Sequence, residues 1–332
     1  MKICYLGSGA WGFALADLLA KNGHEVVGWS VSKELAEQLN TTHIHPSLPE
    51  VRAETSLRYT TDLDCALQGA DVIVESVTSA GIRPVFSQIR EHITPKCPII
   101  FTSKGIEQNS GFILPDILIE LFGEEIRSKI GIISGPSYAI DVIKGLPTSV
   151  VGAAYDKNTL DLLTTLFSSA RFRVYPNEDV VGVSLGGALK NVIAIACGIA
   201  EGLCLGNSAR AALMTRGLHE ICKLILACGG KTETVYGLAG MGDLCLTSTS
   251  LTSRNYKFGY LIALGRSLDE AKREIGMAVE GAYTALSALQ LAKQHAIPMP
   301  IAESVYQILF EGLEPERTVN TLMSREVKLE HL

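Results

Sequence analysis

The chain has 332 residues, 47% of them hydrophobic and 19% charged, enough to bury a sizeable core and, by length, to form two domains. A formal net charge of −6 excludes a global basic field for nucleic acid or an anionic membrane, so an anionic ligand needs a local cationic pocket. Met1–Leu6 is too short for a secretory leader, no run reads as a membrane span, and the eight scattered cysteines lack CxxC pairing, which points to a reducing, cytoplasmic setting without disulfides or a metal site.

In chain order, Lys2–Leu6 is a short apolar strand that runs into Gly7-Ser8-Gly9-Ala10-Trp11-Gly12. A helical pattern follows through Leu15, Leu18 and Leu19, closes at Asn22-Gly23, and leads to a second strand, Glu25–Trp29. A GxGxxG turn inside a βαβ unit of this size predicts dinucleotide binding. Gly7 permits the tight turn, Gly9 lets the backbone reach a pyrophosphate, and Gly12 lets helix and strand pack closely. The helix N-terminus supplies free N–H groups and a favourable dipole for the anion. After the second strand an NAD-selective site usually carries a carboxylate for the ribose 2′-hydroxyl. Here the strand ends Trp29-Ser30-Val31-Ser32-Lys33, with the first carboxylate at Glu34. Hydroxyls and Lys33 suit a 2′-phosphate, so NADP is expected to be at least tolerated alongside NAD.

Further apolar runs at Asp71–Val77, Cys97–Thr102 and Ile130–Ile133 read as strands, with a helix from Gly81 to Ile93. Val150–Ala153 and Phe172–Tyr175 read as two last strands around a helix from Lys157 to Phe167. This alternation predicts an α/β fold with a Rossmann-type, doubly wound parallel sheet, whose ligands bind beyond the carboxyl ends of the strands. Lys104, Gly135 and Ser137 lie at such ends. Lys104 reads equally well as a solvated loop lysine.

From about Asp179 strand signals cease, and the rest reads as an all-helical C-terminal domain. Its expected helices are Ala211–Cys228, Thr232–Gly237, Asn255–Leu264, Ser267–Ile275, Tyr283–His295 and Ile301–Phe310. The boundary falls near residues 178–190, dividing a dinucleotide-binding domain, 1–180, from a helical substrate domain, 181–332. Arg325–Leu332 reads as a mobile tail.

The first segment of the second domain, Gly182–Ile199, carries a single Asp, Glu, Lys or Arg side chain, Lys190. Leu185, Leu189, Val192, Ile193, Ala196 and Ile199 recur at helical spacing, so the helix is largely buried. Gly182, Gly186 and Gly187 cost such a helix roughly 1 kcal/mol each, a cost tolerated where another backbone or a ligand comes close. Lys190 either snorkels to the surface or faces an internal cleft, where desolvation lowers its pKa and suits it to proton transfer. A second glycine-rich stretch, Gly237-Leu-Ala-Gly-Met-Gly-Asp243, reads as flexible and leads to Ser253-Arg254-Asn255 at the start of a helix. Hydroxyl, guanidinium and amide groups at a helix N-terminus suit a phosphate. Ordinary capping by Ser253 with a surface Arg254 is the plainer reading.

These residues, in this order, resemble the bacterial-type NAD(P)-dependent glycerol-3-phosphate dehydrogenases. The resemblance rests on Gly7–Gly12, Ser103-Lys-Gly-Ile-Glu107, Ser134-Gly-Pro-Ser-Tyr-Ala139, Gly145-Leu-Pro-Thr148, Leu185-Gly-Gly-Ala-Leu-Lys-Asn191, Gly240-Met-Gly-Asp243, Ser253-Arg-Asn255 and Val279-Glu-Gly281. It implies reversible hydride transfer between NAD(P)H and dihydroxyacetone phosphate, giving sn-glycerol 3-phosphate for phospholipid synthesis. It further implies Lys190 as the catalytic acid/base and Lys104, Gly135, Ser137, Lys190, Asp243, Ser253, Arg254 and Asn255 as the substrate pocket. Beside Gly7, Gly9 and Gly12, the residues implied to line the cofactor are Ala10, Trp11, Lys104, Ala139, Arg254 and Glu280. Family members commonly form dimers, so a homodimer is expected, with neither nucleic acid nor membrane insertion. Ala10 departs from the family's usual Ser or Asn, Thr78 from its proline, and Ser30–Lys33 lacks its frequent arginine. A hydroxyisobutyrate or 6-phosphogluconate dehydrogenase is the nearest rival, against which Ser103-Lys104-Gly105 and Ser253-Arg254-Asn255 speak. A UDP-sugar dehydrogenase would need a nucleophilic cysteine in an electropositive turn, and a non-catalytic nucleotide sensor would not need Lys190, Asp243 and Arg254 together.

Overall fold

The apolar runs of the N-terminal half become one eight-stranded sheet in the computed structural model, which describes residues 1–53, 57–327 and 329–330. The strands are β1 (Lys2–Leu6), β2 (Glu25–Trp29), β3 (Arg58–Thr60), β4 (Val72–Glu75), β5 (Ile99–Phe101), β6 (Ile130–Ser134), β7 (Thr148–Ala154) and β8 (Phe172–Asn177). Their order, β3-β2-β1-β4-β5-β6-β7-β8, reverses direction between β1 and β4, and ligands of doubly wound sheets bind at that switch point. β1 and β4 pair in parallel with Leu6 opposite Glu75, so the Gly7 turn and the residues after Glu75 leave the sheet side by side.

One expectation needs correcting. The sheet is not wholly parallel, because β6 and β7 are antiparallel. The link from β6 to β7 carries only the five-residue helix Ala139–Ile143, about 7.5 Å long at 1.5 Å per residue. A strand of β6's length spans roughly twice that, so the chain re-enters the sheet from the edge where it left. β7 to β8 is joined by the eleven-residue helix Lys157–Phe167, long enough to cross back, and that pair is parallel. Keeping the β6–β7 link at the carboxyl edge is what leaves Gly135 and Ser137 beside the site.

Short or polar elements carried no strong sequence signal: β3 and the helices Lys33–Thr42, Leu63–Leu67, Leu114–Phe122, Ala139–Ile143 and Pro315–Met323 were not expected. Lys33–Thr42, for example, buries only Ala36 and Leu39. The helix expected from Ala211 begins earlier, as Gly206–Ala227. The glycine-rich stretch is not a flexible loop but a turn of π-helix, Leu238–Gly242, continued by the helix Asp243–Thr247. Of the expected tail, residues 328, 331 and 332 lie outside the described residues, while Arg216 Nη1 donates to the Glu330 carbonyl at 2.8 Å.

After β8 the helix Val180–Gly202 organises everything that follows. Asp179 caps its start, accepting from Gly182 N at 2.8 Å. This helix is long and apolar enough to cross a membrane, contrary to the sequence expectation, yet 94% of its most apolar window is buried inside the protein. A helix apolar on every side belongs to the centre of a bundle. The helix Arg254–Ala263 lies against it at backbone distance: a Cβ on Gly198 would stand 2.0 Å from the Tyr256 carbonyl oxygen, and one on Gly259 would stand 2.1 Å from that of Ile195. Three turns earlier on nearly the same face, a Cβ on Gly187 would meet Ser134 Oγ, at the end of β6, at 2.4 Å. Glycines seat this helix between the sheet and the other helices, which fixes the height of Lys190. Gly198→Ala forces backbone against backbone and is expected to lower stability by about 1–3 kcal/mol, read as a lower midpoint in thermal or urea unfolding. Wild-type stability in that variant would contradict the close packing.

Candidate active site

Lys190 does not snorkel. Its side chain is 8% exposed, and Nζ donates to Asp243 Oδ1 at 2.7 Å and to Thr247 Oγ1 at 2.5 Å. The other Asp243 oxygen, Oδ2, accepts from Lys104 Nζ at 2.6 Å, and Lys104 also donates to the Gly135 carbonyl at 3.1 Å. One carboxylate, 1% exposed, is thus shared by two ammonium groups. Three elements that meet only in the fold supply them: the end of β5, the central helix and the helix Asp243–Thr247. Ser137 Oγ donates to the same Gly135 carbonyl at 3.1 Å. Tyr138 OH ties this loop to the Leu246 carbonyl at 2.9 Å. Gly135 has φ +144°, and a Cβ there would stand 2.9 Å from Val150 Cα, so the turn that presents its carbonyl to Lys104 demands glycine.

Burial drives the Lys190 pKa down to about 8; the Asp243 charge opposes that shift, and the Lys104 charge reinforces it. Burial alone would raise the Asp243 carboxyl, yet the two ammonium groups hold it below the usual carboxylate range. The carboxylate therefore stays ionised while Lys190 sheds its proton more readily than an ordinary lysine. A group poised close to neutral pH can both give and take a proton.

Above this cluster the helix Arg254–Ala263 points its N-terminus. Ser253 caps it, accepting from Tyr256 N at 3.3 Å. Asn255 turns inward, where Nδ2 donates to Asn191 Oδ1 and Oδ1 accepts from Gly281 N, both at 2.9 Å. These two side chains, expected in the substrate pocket, are committed to holding the helix end. Arg254 is exposed, with Nη1 donating to the Ala278 carbonyl at 3.0 Å. The helix N-terminus and Arg254 remain as anion-binding groups.

The dinucleotide turn fits its expected occupant. Gly7 has φ +103°, and a Cβ on it would stand 2.7 Å from Ser76 backbone. A Cβ on Gly12 would stand 2.5 Å from the Gly7 carbonyl oxygen. Over Gly9 a Cβ would meet nothing within 4 Å, so the space above the helix Ala10–Lys21 is open. That helix has no side-chain cap and no acidic residue in its first turn, which leaves its N–H groups to an anion. Ala10, Trp11 and Ala139 border the turn half-buried, and Trp11 Nε1 donates to the Thr102 carbonyl at 3.3 Å. Glu280 reaches across to the loop after β4, accepting from Ser79 Oγ at 2.5 Å and from Ser79 N at 3.3 Å.

The reading of Ser30–Lys33 changes in part. Ser30 is buried, its Oγ taken up by Ser8 Oγ at 2.6 Å and Ser32 N at 3.2 Å, while Ser32 caps the next helix through Leu35 N. Neither hydroxyl is free for a 2′-phosphate. Lys33 stands apart from the lysine cluster, 77% exposed, with Glu37 at 3.9 Å. Sequence reasoning also missed Thr247, Ser79 and His45. His45 Nδ1 accepts from Ser47 N at 3.0 Å, so Nε2 carries the proton that it donates to the Ser8 carbonyl at 3.1 Å, bracing the glycine turn. Only Thr247 had a signal, four residues after Asp243 on one helix face.

The family described as NAD-dependent glycerol-3-phosphate dehydrogenase matches through its N-terminal part at residues 2–160 and through its C-terminal part at residues 179–320. The glycerol-3-phosphate dehydrogenase [NAD(P)+] of Protochlamydia amoebophila is 56% identical over 331 residues, covering 100% of this chain and 99% of the relative. The chain belongs to this family. The enzyme of the same name from Chlamydia abortus is 52% identical over 331 residues, with the same coverage. The crystal structure of the Coxiella burnetii glycerol-3-phosphate dehydrogenase superposes with a TM-score of 0.93 at 38% identity, covering 98% of this chain and 99% of that one. The members share the architecture found here, a Rossmann-type sheet followed by helices.

Removing the shared charge isolates its contribution. Asp243→Asn leaves two ammonium groups without a counter-charge, and the loss of stability is expected to reach about 3 kcal/mol at pH 7. The deficit shrinks toward pH 9, where Lys190 is neutral in wild type as well. Urea unfolding at both pH values reads this, and an equal loss at the two would contradict the assigned charges.

Proposed function

We propose that this chain catalyses the reversible NAD(P)H-dependent reduction of dihydroxyacetone phosphate to sn-glycerol 3-phosphate, with Lys190 as the acid/base. The observation that carries this reading is the buried Lys190 ammonium, held at 2.7 Å by an ionised Asp243 and brought down to about 8. When bound, the nicotinamide cofactor supplies the hydride to the carbonyl carbon. As the carbonyl oxygen gains negative charge, Lys190 stabilises it and then donates its proton, leaving an alcohol and a neutral amine. In the reverse direction the neutral amine takes the hydroxyl proton.

Other residues position. Lys104, fixed between Asp243 and the Gly135 carbonyl, offers a second positive charge to the substrate, with Gly135 and Ser137 on the same loop. Arg254 and the helix N-terminus that Ser253 and Asn255 hold would take the phosphate, so binding energy remote from the reacting atoms orients the carbonyl. This gives an acidic protein the local cationic pocket that its anionic substrate needs. Gly7, Gly9, Ala10, Trp11, Gly12, Lys104, Ala139, Arg254 and Glu280 would hold NAD or NADP, with Lys33 as the residue left to meet a 2′-phosphate. In this reading residues 1–180 form the cofactor domain and 181–332 the catalytic one. The enzyme works in the cytoplasm as a homodimer and feeds phospholipid synthesis.

Oxidation of NADPH or NADH with dihydroxyacetone phosphate tests the assignment. Lys190→Ala is expected to lose at least about a hundredfold in kcat, the usual worth of a positioned acid. In wild type the reduction declines as pH rises through about 8, because the donating ammonium is lost, while the reverse oxidation gains over the same interval. A fully active Lys190→Ala would remove Lys190 from the chemistry, and absence of turnover with either cofactor would overturn the activity.

A further inference from the structure

β4 ends in a carboxyl group that the reaction does not use. Glu75 is completely buried. Its Oε1 accepts from Val77 N at 2.5 Å and lies 2.8 Å from Ser103 Oγ, while its Oε2 has no partner. The contacts can be counted in protons. Ser103 Oγ has a single hydrogen but two close oxygen neighbours, Glu75 Oε1 and, at 2.5 Å, the Val77 carbonyl. If Ser103 donates to the Val77 carbonyl, the contact with Glu75 needs a proton from Glu75. An unpartnered Oε2 in a dry interior is likewise costly for a carboxylate and tolerable for an acid. Burial pushes the carboxyl up to about 8, against the lowering pull of the Ser103 hydroxyl and of the Val77 and Ser103 backbone N–H groups, and the charge of Glu280 adds to the rise.

Two segments meet at this group, and both lead into the site. Val77 precedes Ser79, which holds Glu280, and Gly7 packs against the backbone of Ser76 and Val77. Ser103 precedes Lys104. Below them Tyr5 OH, Ser76 Oγ and Thr102 Oγ1 form a chain of hydroxyls ending on the Glu75 carbonyl. The titratable groups facing Glu75 are Glu280 from the helix Glu280–Gln294 and the Tyr5 phenol from β1, with Lys104 one residue beyond Ser103.

We propose that Glu75 is a positioning residue that works as a neutral carboxylic acid, its proton clamping the loop after β4 to the loop that carries Lys104. Ionisation releases that proton to solvent, leaves Ser103 unable to satisfy both oxygens, and loosens the clamp. The role in catalysis rests on the activity proposed above; the protonation state does not.

Infrared difference spectra of wild type against Glu75→Gln test the protonation without turnover. At pH 6 wild type is expected to show the carbonyl stretch of a protonated carboxylic acid that Glu75→Gln lacks, fading as pH passes about 8. Absence of that band at pH 6 overturns the proposal, whether or not the enzyme reduces dihydroxyacetone phosphate. In assays with that substrate, the alkaline fall of kcat/KM is expected to be steeper in wild type, which loses two protons, than in Glu75→Gln, which loses only that of Lys190. Glu75→Ala, which cannot bridge the loops, is expected to lose about tenfold in kcat/KM, with Glu75→Gln restoring most of it. Identical alkaline limbs in wild type and Glu75→Gln, or equal defects in Glu75→Gln and Glu75→Ala, would also overturn it.

Discussion

A single buried carboxylate between two ammonium groups is the constraint on which the site depends. Asp243 cannot pair fully with both Lys190 and Lys104, so the cluster keeps an excess of positive charge in a protein whose net charge is −6. Desolvation then falls on the more deeply buried lysine. That imbalance accounts for two properties that otherwise pull apart: an ammonium near enough to neutrality to exchange its proton, and a pocket positive enough to attract a phosphorylated substrate. A surface lysine would offer the second without the first.

The surrounding architecture keeps that cluster in register. The central helix has to bring Lys190 to Asp243 within a hydrogen bond while touching the end of β6 near Gly187 and a second helix near Gly198. Glycines make this possible, since Gly187 admits Ser134 and Gly198 and Gly259 let two helix backbones touch. Their weak helix propensity is offset by the packing they allow. The same economy of space governs the dinucleotide turn, where Gly7 and Gly12 are closed by neighbouring backbone and Gly9 alone is open.

Much of this was legible in the sequence, for reasons that differ by residue. The βαβ unit and its glycines announced themselves because turn, strand and helix signals coincide within thirty residues. Lys190 stood out because no other Asp, Glu, Lys or Arg lies between Asp179 and Glu201. The alternatives left open for it were decided by Asp243 and Thr247, which lie more than fifty residues away and meet it only through folding. The reversed β7 was illegible because strand direction is set by the length of the connecting helix, not by the strand's own residues. Ser30 and Asn255 looked like ligand-binding groups by position, whereas the fold uses Ser30 to brace the glycine turn and Asn255 to join three helices. Glu75 was read as one more strand residue, since nothing local distinguishes a carboxyl that ends a strand in solvent from one that ends it in the core.

The most direct test of the central claim is the titration of the Lys190 side chain, followed by nitrogen NMR on protein labelled at lysine and assigned through Lys190→Arg. A midpoint near pH 8 is what the buried, shared carboxylate predicts. A midpoint near 10.4, the ordinary value for lysine, would mean that burial does not outweigh the Asp243 charge and that Lys190 is not poised near neutral pH.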